Sequence, residues 1–274
     1  MDRTLFFPFM LDTYKACRRA YKLAQKKFSS RNQAGSNSRS LSSICKQFVR
    51  KGVSEINRGK IRNNNQLQLF IGQHWPVEEL EKHGFSQDQI ARSFLYVYKT
   101  LLYYVRCPYI PEDAEVVASG QKVRAKVHQA RVYIEDTIEL ILWYPEKQHL
   151  EIVDFRLQLP QKVLLKQPRP SHLARHFLAN KLKIRWPFKT LSITTIKLTP
   201  KGMYSNEIEL LEDTFNNNWD DIVRDLQDMK TPSSNEEEEG EEPHKRSDNC
   251  SFCMALDNDN ENNQSADEDL SMSA

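Results

Sequence analysis

At 274 residues with 39% hydrophobic content, the chain is long enough to bury a domain-sized core. Its eight glycines form no phosphate-cradling loop, which excludes a P-loop ATPase or helicase motor, and five cysteines, an odd number, point to a reducing, cytoplasmic setting rather than a disulfide framework. The formal charge of +2 conceals a division: residues 231–274 carry thirteen acids against Lys245 and Arg246, leaving the remainder with 37 Lys and Arg (39 less two) against 24 acids (37 less thirteen), a balance of +13.

From the N-terminus, "LFFPFML" (5–11) is too short to span a membrane, contains Pro8 and lacks a small-residue cleavage site, so a soluble protein with no membrane partner is expected. Tyr14, Cys17, Tyr21, Ala24 and Phe28 recur at helical spacing among Lys15, Arg18, Arg19, Lys22, Lys26 and Lys27, which predicts a basic amphipathic helix. "SSRNQAGSNSRS" then reads as a loop, and residues 41–57 return to helical spacing through Leu41, Ile44, Phe48 and Ile56. "SQDQ" at 86–89 has the spacing of a capping box, and the stripe Ile90, Phe94, Val97, Tyr98, Leu101, Val105 behind it marks a long helix ending before Pro108.

From about residue 121 the period shifts toward two, predicting strands near 121–134, 137–144 and 149–157. A helix opens at Ser171 and runs to about Leu182, strands follow at 190–198 and 203–210 around the turn "TPKG", and a last helix carries Leu211, Phe215, Trp219, Ile222, Val223 and Leu226. The expected fold is α/β, a central mixed sheet with helices on both faces. Residues 1–120 form its mainly helical N-terminal part, 121–230 the sheet core, and 231–274 an acidic tail too polar to order. "LILWY" and "EIVDF" are apolar at consecutive positions, as in central strands covered on both sides.

Residues 13–54 and 155–206 each contain eleven Lys or Arg and no Asp or Glu, and two such runs point to a polyanion partner, nucleic acid being the commonest. The hairpin "IELILWYPEKQHLEIVDFR" sets Glu139 and Asp154 among Ile, Leu, Val and Phe, where an unpaired charge is costly. If "YPEKQH" closes it, Tyr144 pairs with His149, Trp143 with Leu150, Ile141 with Ile152, and Glu139 then opposes Asp154, with Arg156 two residues on. Two converging carboxylates are a ligand set for Mg²⁺ or Mn²⁺. The competing reading is a structural ion network in which Arg156 bridges both acids.

This hairpin resembles motifs II and III of the PD-(D/E)XK nuclease superfamily in its RecB-like branch, and "YKACRRAYKL" is similar to the Cys-(Pro)-Arg-x-Tyr opening common in that branch. The resemblance covers most of residues 10–200. It implies an αβββαβ restriction-endonuclease-like core and metal-dependent hydrolysis of DNA, with Glu139 and Asp154 as metal ligands, Arg156 in the place of the catalytic lysine, and Glu55 as a candidate upstream acid. Glu for Asp shifts a carboxylate by one methylene, and Arg for Lys replaces a titratable amine with a group that stays charged. The branch's Gln-x-x-x-Tyr helix is replaced by "SHLARHFLANKL", where His172, Arg175 and His176 are candidate phosphate contacts beside Arg18, Arg19 and Lys22, ordinary exposed helix positions being the alternative. An inactive nuclease-fold protein that binds nucleic acid or scaffolds a DNA-processing complex is the second reading. Cys250 and Cys253 with Cys17 leave an iron–sulfur set one cysteine short, so no cluster is expected, and no second pair completes a zinc site.

Overall fold

The structure is a computed structural model and describes residues 4–18, 20–22, 40–157 and 168–230. Its elements in chain order are β1 (Leu5–Phe6), α1 (Pro8–Ala16), α2 (Leu41–Asn57), α3 (Asn64–His74), α4 (Val77–Lys82), α5 (Gln87–Arg106), β2 (Glu115–Val127), β3 (Val132–Tyr144), β4 (His149–Arg156), α6 (Pro170–Ala179), β5 (Thr190–Thr199), β6 (Gly202–Leu210) and α7 (Glu212–Lys230). The acidic tail, Arg19, Cys250 and Cys253 lie outside the described residues.

Helix starts follow local chemistry. Ser86 Oγ accepts from the Gln89 amide (3.3 Å) while the Gln89 side chain accepts from the Ser86 amide (2.9 Å), the reciprocal cap expected at "SQDQ". Ser40 and Asn63 cap α2 and α3 in the same one-way sense, accepting from Ser43 and Gln66. Along α5 the buried stripe is Ile90, Val97, Leu101 and Tyr104, with Phe94 turned partly outward; the Tyr104 hydroxyl, fully buried, donates to Asn57 Oδ1 at 2.8 Å.

The six strands form one mixed sheet. β2, β3 and β4 make an antiparallel meander, the α6 connection brings β5 in parallel to β4, and β6 closes a hairpin on β5. Helices cover both faces. On one, Leu11 of α1, Leu173 and Leu178 of α6, and Ile222 and Leu226 of α7 pack on Ile134, Ile138, Ile141, Ile152 and Ile193. On the other, Phe48 and Val53 of α2, Leu67 and Ile71 of α3, and Leu101 and Tyr104 of α5 pack on Leu140, Leu142, Val153, Phe155 and Ile196. β3 and β4 are therefore apolar at consecutive positions because each is buried from two sides.

The first strand lies earlier than expected, at 115–127 rather than 121–134. The turn that ends it, His128–Arg131, contains neither Gly nor Pro, and Arg131 itself takes φ +53°. Of the expected N-terminal stripe, Tyr14 lies on α1, which runs Pro8–Ala16; Cys17 interrupts it in extended backbone, Arg18 and Ala20 to Lys22 are again helical, and Ala24 and Phe28 lie outside the described residues.

Candidate functional site

The expected hairpin register is the observed one: Tyr144 pairs with His149, Trp143 with Leu150 and Ile141 with Ile152. The ladder stops at Leu140 and Val153, one step short of Glu139 and Asp154. β2 borders β3 along most of its length, but on the other side β4 pairs with residues 140–144 and β1 with Tyr133 and Ile134. Residues 135–139 have no strand partner on that side among the described residues, and this notch holds the acids.

Two local features shape it. Ile138 belongs to one core and Leu140 to the other, so the alternation of β3 breaks at Glu139. Across from it, between the pairs Ser119–Leu140 and Gln121–Ile138, Gly120 takes φ +63°, and a Cβ there would lie 2.7 Å from Ser54 Oγ of α2. With the ladder ended, the Phe155 amide donates to the Glu139 carboxylate instead of to a strand carbonyl.

Each acid is met by a guanidinium from a different helical layer. Arg50 of α2 forms an ion pair with Glu139 through Nε, and Arg175 of α6 donates to Asp154 through Nη1 and to Asp136 Oδ2 through Nε at 2.7 Å. Arg175 and Asp154 are 13% and 4% exposed, so this is a buried, forked bridge between two carboxylates. Arg156 approaches Asp154 only to 3.9 Å. The ion network weighed from the sequence is thus present, but Arg175 and Arg50 build it, and Arg156 does not bridge the two acids.

Electrostatics differ for the two acids. Burial and the neighbouring Asp154 charge push the Glu139 carboxyl up to about 7, against the pull of Arg50 and the Phe155 amide. Burial also works on Asp154, yet Arg175, Arg156 and Arg50 together hold it below its usual range. Lys46, one turn before Arg50, is lowered by burial and by the Arg50 and Arg156 charges.

The remaining expected site residues are dispersed. Glu55 sits near the end of α2, held by Arg58 at 3.1 Å and Lys60 at 2.8 Å, the Lys60 contact lowering its pKa. Arg18 is exposed, lying 5.2 Å over the Tyr14 ring and 3.9 Å from Asp228; Lys22 is exposed. His172 and His176 are corrections to the reading of exposed helix residues: both are buried. His172 Nδ1 accepts from the Arg169 amide, and burial followed by the Arg175 charge depresses its pKa to about 4. His176 packs 4.3 Å from the Phe215 ring and is likewise lowered to about 4 by burial, so neither imidazole carries charge toward a phosphate near neutral pH. Arg175 is also largely covered, 13% exposed, and turned to Asp136 and Asp154 rather than outward. Arg50, Lys46 and Asp136 were not singled out from sequence; nothing in their spacing ties them to the hairpin.

The notch gathers cations as well as acids. Three carboxylates, Asp136, Glu139 and Asp154, share the notch with four cations, Lys46, Arg50, Arg156 and Arg175, and one oxygen of each acid faces a guanidinium: Glu139 Oε1 that of Arg50, Asp136 Oδ2 that of Arg175, and Asp154 Oδ2 those of Arg175 and Arg156. Among the described residues, no helix is long and apolar enough to cross a membrane. Compared with known proteins, the chain matches no family model and no curated protein.

Proposed function

We propose that this chain is a nucleic-acid-binding protein built on a PD-(D/E)XK-like core, and that it does not hydrolyse phosphodiesters with Mg²⁺ or Mn²⁺. The observation that carries the reading is the pairing of Asp154 with the largely covered Arg175 and of Glu139 with Arg50, which leaves the notch with more cations than acids. The αβββαβ order and the hairpin register support the core, and the +13 balance outside residues 231–274 supports a DNA partner. Each phosphate neutralised by Lys or Arg releases counterions, so affinity should fall steeply and log-linearly with salt.

A second reading is a metal-dependent nuclease with Glu139, Asp154 and Arg156 as its centre. It draws on one observation, that Glu139 remains incompletely compensated even beside Arg50. One assay separates the two: the full chain incubated with single- and double-stranded DNA, with Mg²⁺ and with Mn²⁺, while binding is followed at rising salt. Salt-sensitive binding without cleavage is expected. Cleavage that needs the metal and disappears in Asp154→Asn would establish the nuclease, and no DNA binding at low salt would refute both.

A further inference from the structure

Arg175 spends its fork on Asp154 and Asp136 and is largely covered; the other three cations of the notch are not spent in this way. Arg50 meets Glu139 through Nε alone, as an ion pair, and its side chain is 41% exposed. Arg156 is 38% exposed and makes only the 3.9 Å approach to Asp154. Lys46 is exposed and has no carboxylate within ion-pair distance among the described residues. Lys46 and Arg50 are one helical turn apart on α2, on the same face, and Arg156 reaches them from the end of β4 closely enough for its charge to act on the Lys46 ammonium.

Three like charges at one rim repel, and two of the three neighbouring acids are engaged beneath it by Arg175. An anion with several acceptor oxygens relieves that repulsion and satisfies the open donors.

The geometry points to a phosphate group, bound by Lys46, Arg50 and Arg156 at the notch, as the ligand that this site takes in place of a divalent cation. The inference rests on the proposed function in taking a nucleic-acid phosphate as the source, but the site itself follows from the charge arrangement. Of the acids, Glu139 and Asp154 lie next to it, paired with Arg50 and with Arg175 and Arg156.

The test is thermal melting of the full chain titrated with inorganic phosphate and, separately, with Mg²⁺, ionic strength being held constant with chloride. Phosphate should raise the melting temperature in a saturable way and Mg²⁺ should not. Lys46→Ala and Arg156→Ala, both outside the core, should each weaken the phosphate response by about tenfold, the usual consequence of losing one hydrogen bond to a charged group. A shift with Mg²⁺ and none with phosphate would overturn the proposal, as would a phosphate response unchanged in both variants. Competition identifies the source: inorganic phosphate that displaces a short oligonucleotide marks a nucleic-acid phosphate, and phosphate that binds without displacing it marks free phosphate. Oligonucleotide binding with no phosphate response would sink this site and leave the proposed function standing; a phosphate response with no oligonucleotide binding would do the reverse.

Discussion

Replacing Arg175 by alanine isolates the bridge on which the notch depends. The guanidinium is 13% exposed and bonds to Asp154, 4% exposed, and to Asp136, 16% exposed, so the variant leaves Asp154 buried with Arg156 at 3.9 Å and the more distant charge of Arg50. Removing one partner of a buried ion pair costs about 3–5 kcal/mol. In a domain of this size, that is a fall in melting temperature of roughly 10 °C. The loss should depend on pH with a definite sign. In the wild type Asp154 is held below its usual range, so its contribution is complete above that range and is lost as pH falls through it. In Arg175→Ala, burial raises the same carboxyl, and the variant weakens further as pH rises through the raised value. The gap between wild type and variant should therefore widen from pH 5 to pH 8. Arg175→Lys should fall between them, because one ammonium cannot reproduce the fork. Melting followed by circular dichroism at the two pH values reads all three proteins; a gap under about 1 kcal/mol, the scale of an exposed pair, or one that narrows with pH, would refute the buried-bridge account.

Glu139→Gln should stabilise the chain at pH 8 by about 2–3 kcal/mol and make little difference near pH 4.5, since a carboxyl raised from 4.5 to about 7 is protonated in the fold over that window and stability falls as pH rises through it; equal melting temperatures at pH 8 would contradict this. Gly120→Ala should cost about 2 kcal/mol through its φ of +63° and the approach to Ser54 Oγ, read as a lower urea midpoint with an unchanged slope. An unaltered midpoint would show that the strand can adjust there.

The elements legible in the sequence were those with long stripes and marked ends. α5 carries a capping box and twenty residues of amphipathic pattern, and α2 seventeen residues with a Ser at its start. α3 and α4 escaped notice because their buried sets are small, Leu67, Phe70 and Ile71 in one and Leu80 in the other. β1 is two residues long and exists only through its parallel pairing with β3, a tertiary contact that no local pattern announces. The hairpin register was readable because a six-residue stretch, "YPEKQH", leaves one pairing that keeps both apolar sets buried.

The site was half legible, and charge explains which half. The acids showed themselves by standing in apolar strands, but their partners lie on helices whose packing faces depend on the sheet. The two acid-free runs, 13–54 and 155–206, supply all four cations of the notch: Lys46 and Arg50 from the first, Arg156 and Arg175 from the second. The acids Asp136, Glu139 and Asp154 lie between the runs, so folding closes two basic segments around an acidic strand pair. The runs therefore do two kinds of work. Arg175 is drawn inward to neutralise carboxylates that burial would otherwise leave unpaired, whereas Lys46 and Arg156 stay at the rim and Arg50, 41% exposed, reaches from the rim to Glu139. Internal pairing leaves the net charge unchanged and concentrates the uncompensated part of it where β3 and β4 separate, which is where an incoming phosphate would meet it.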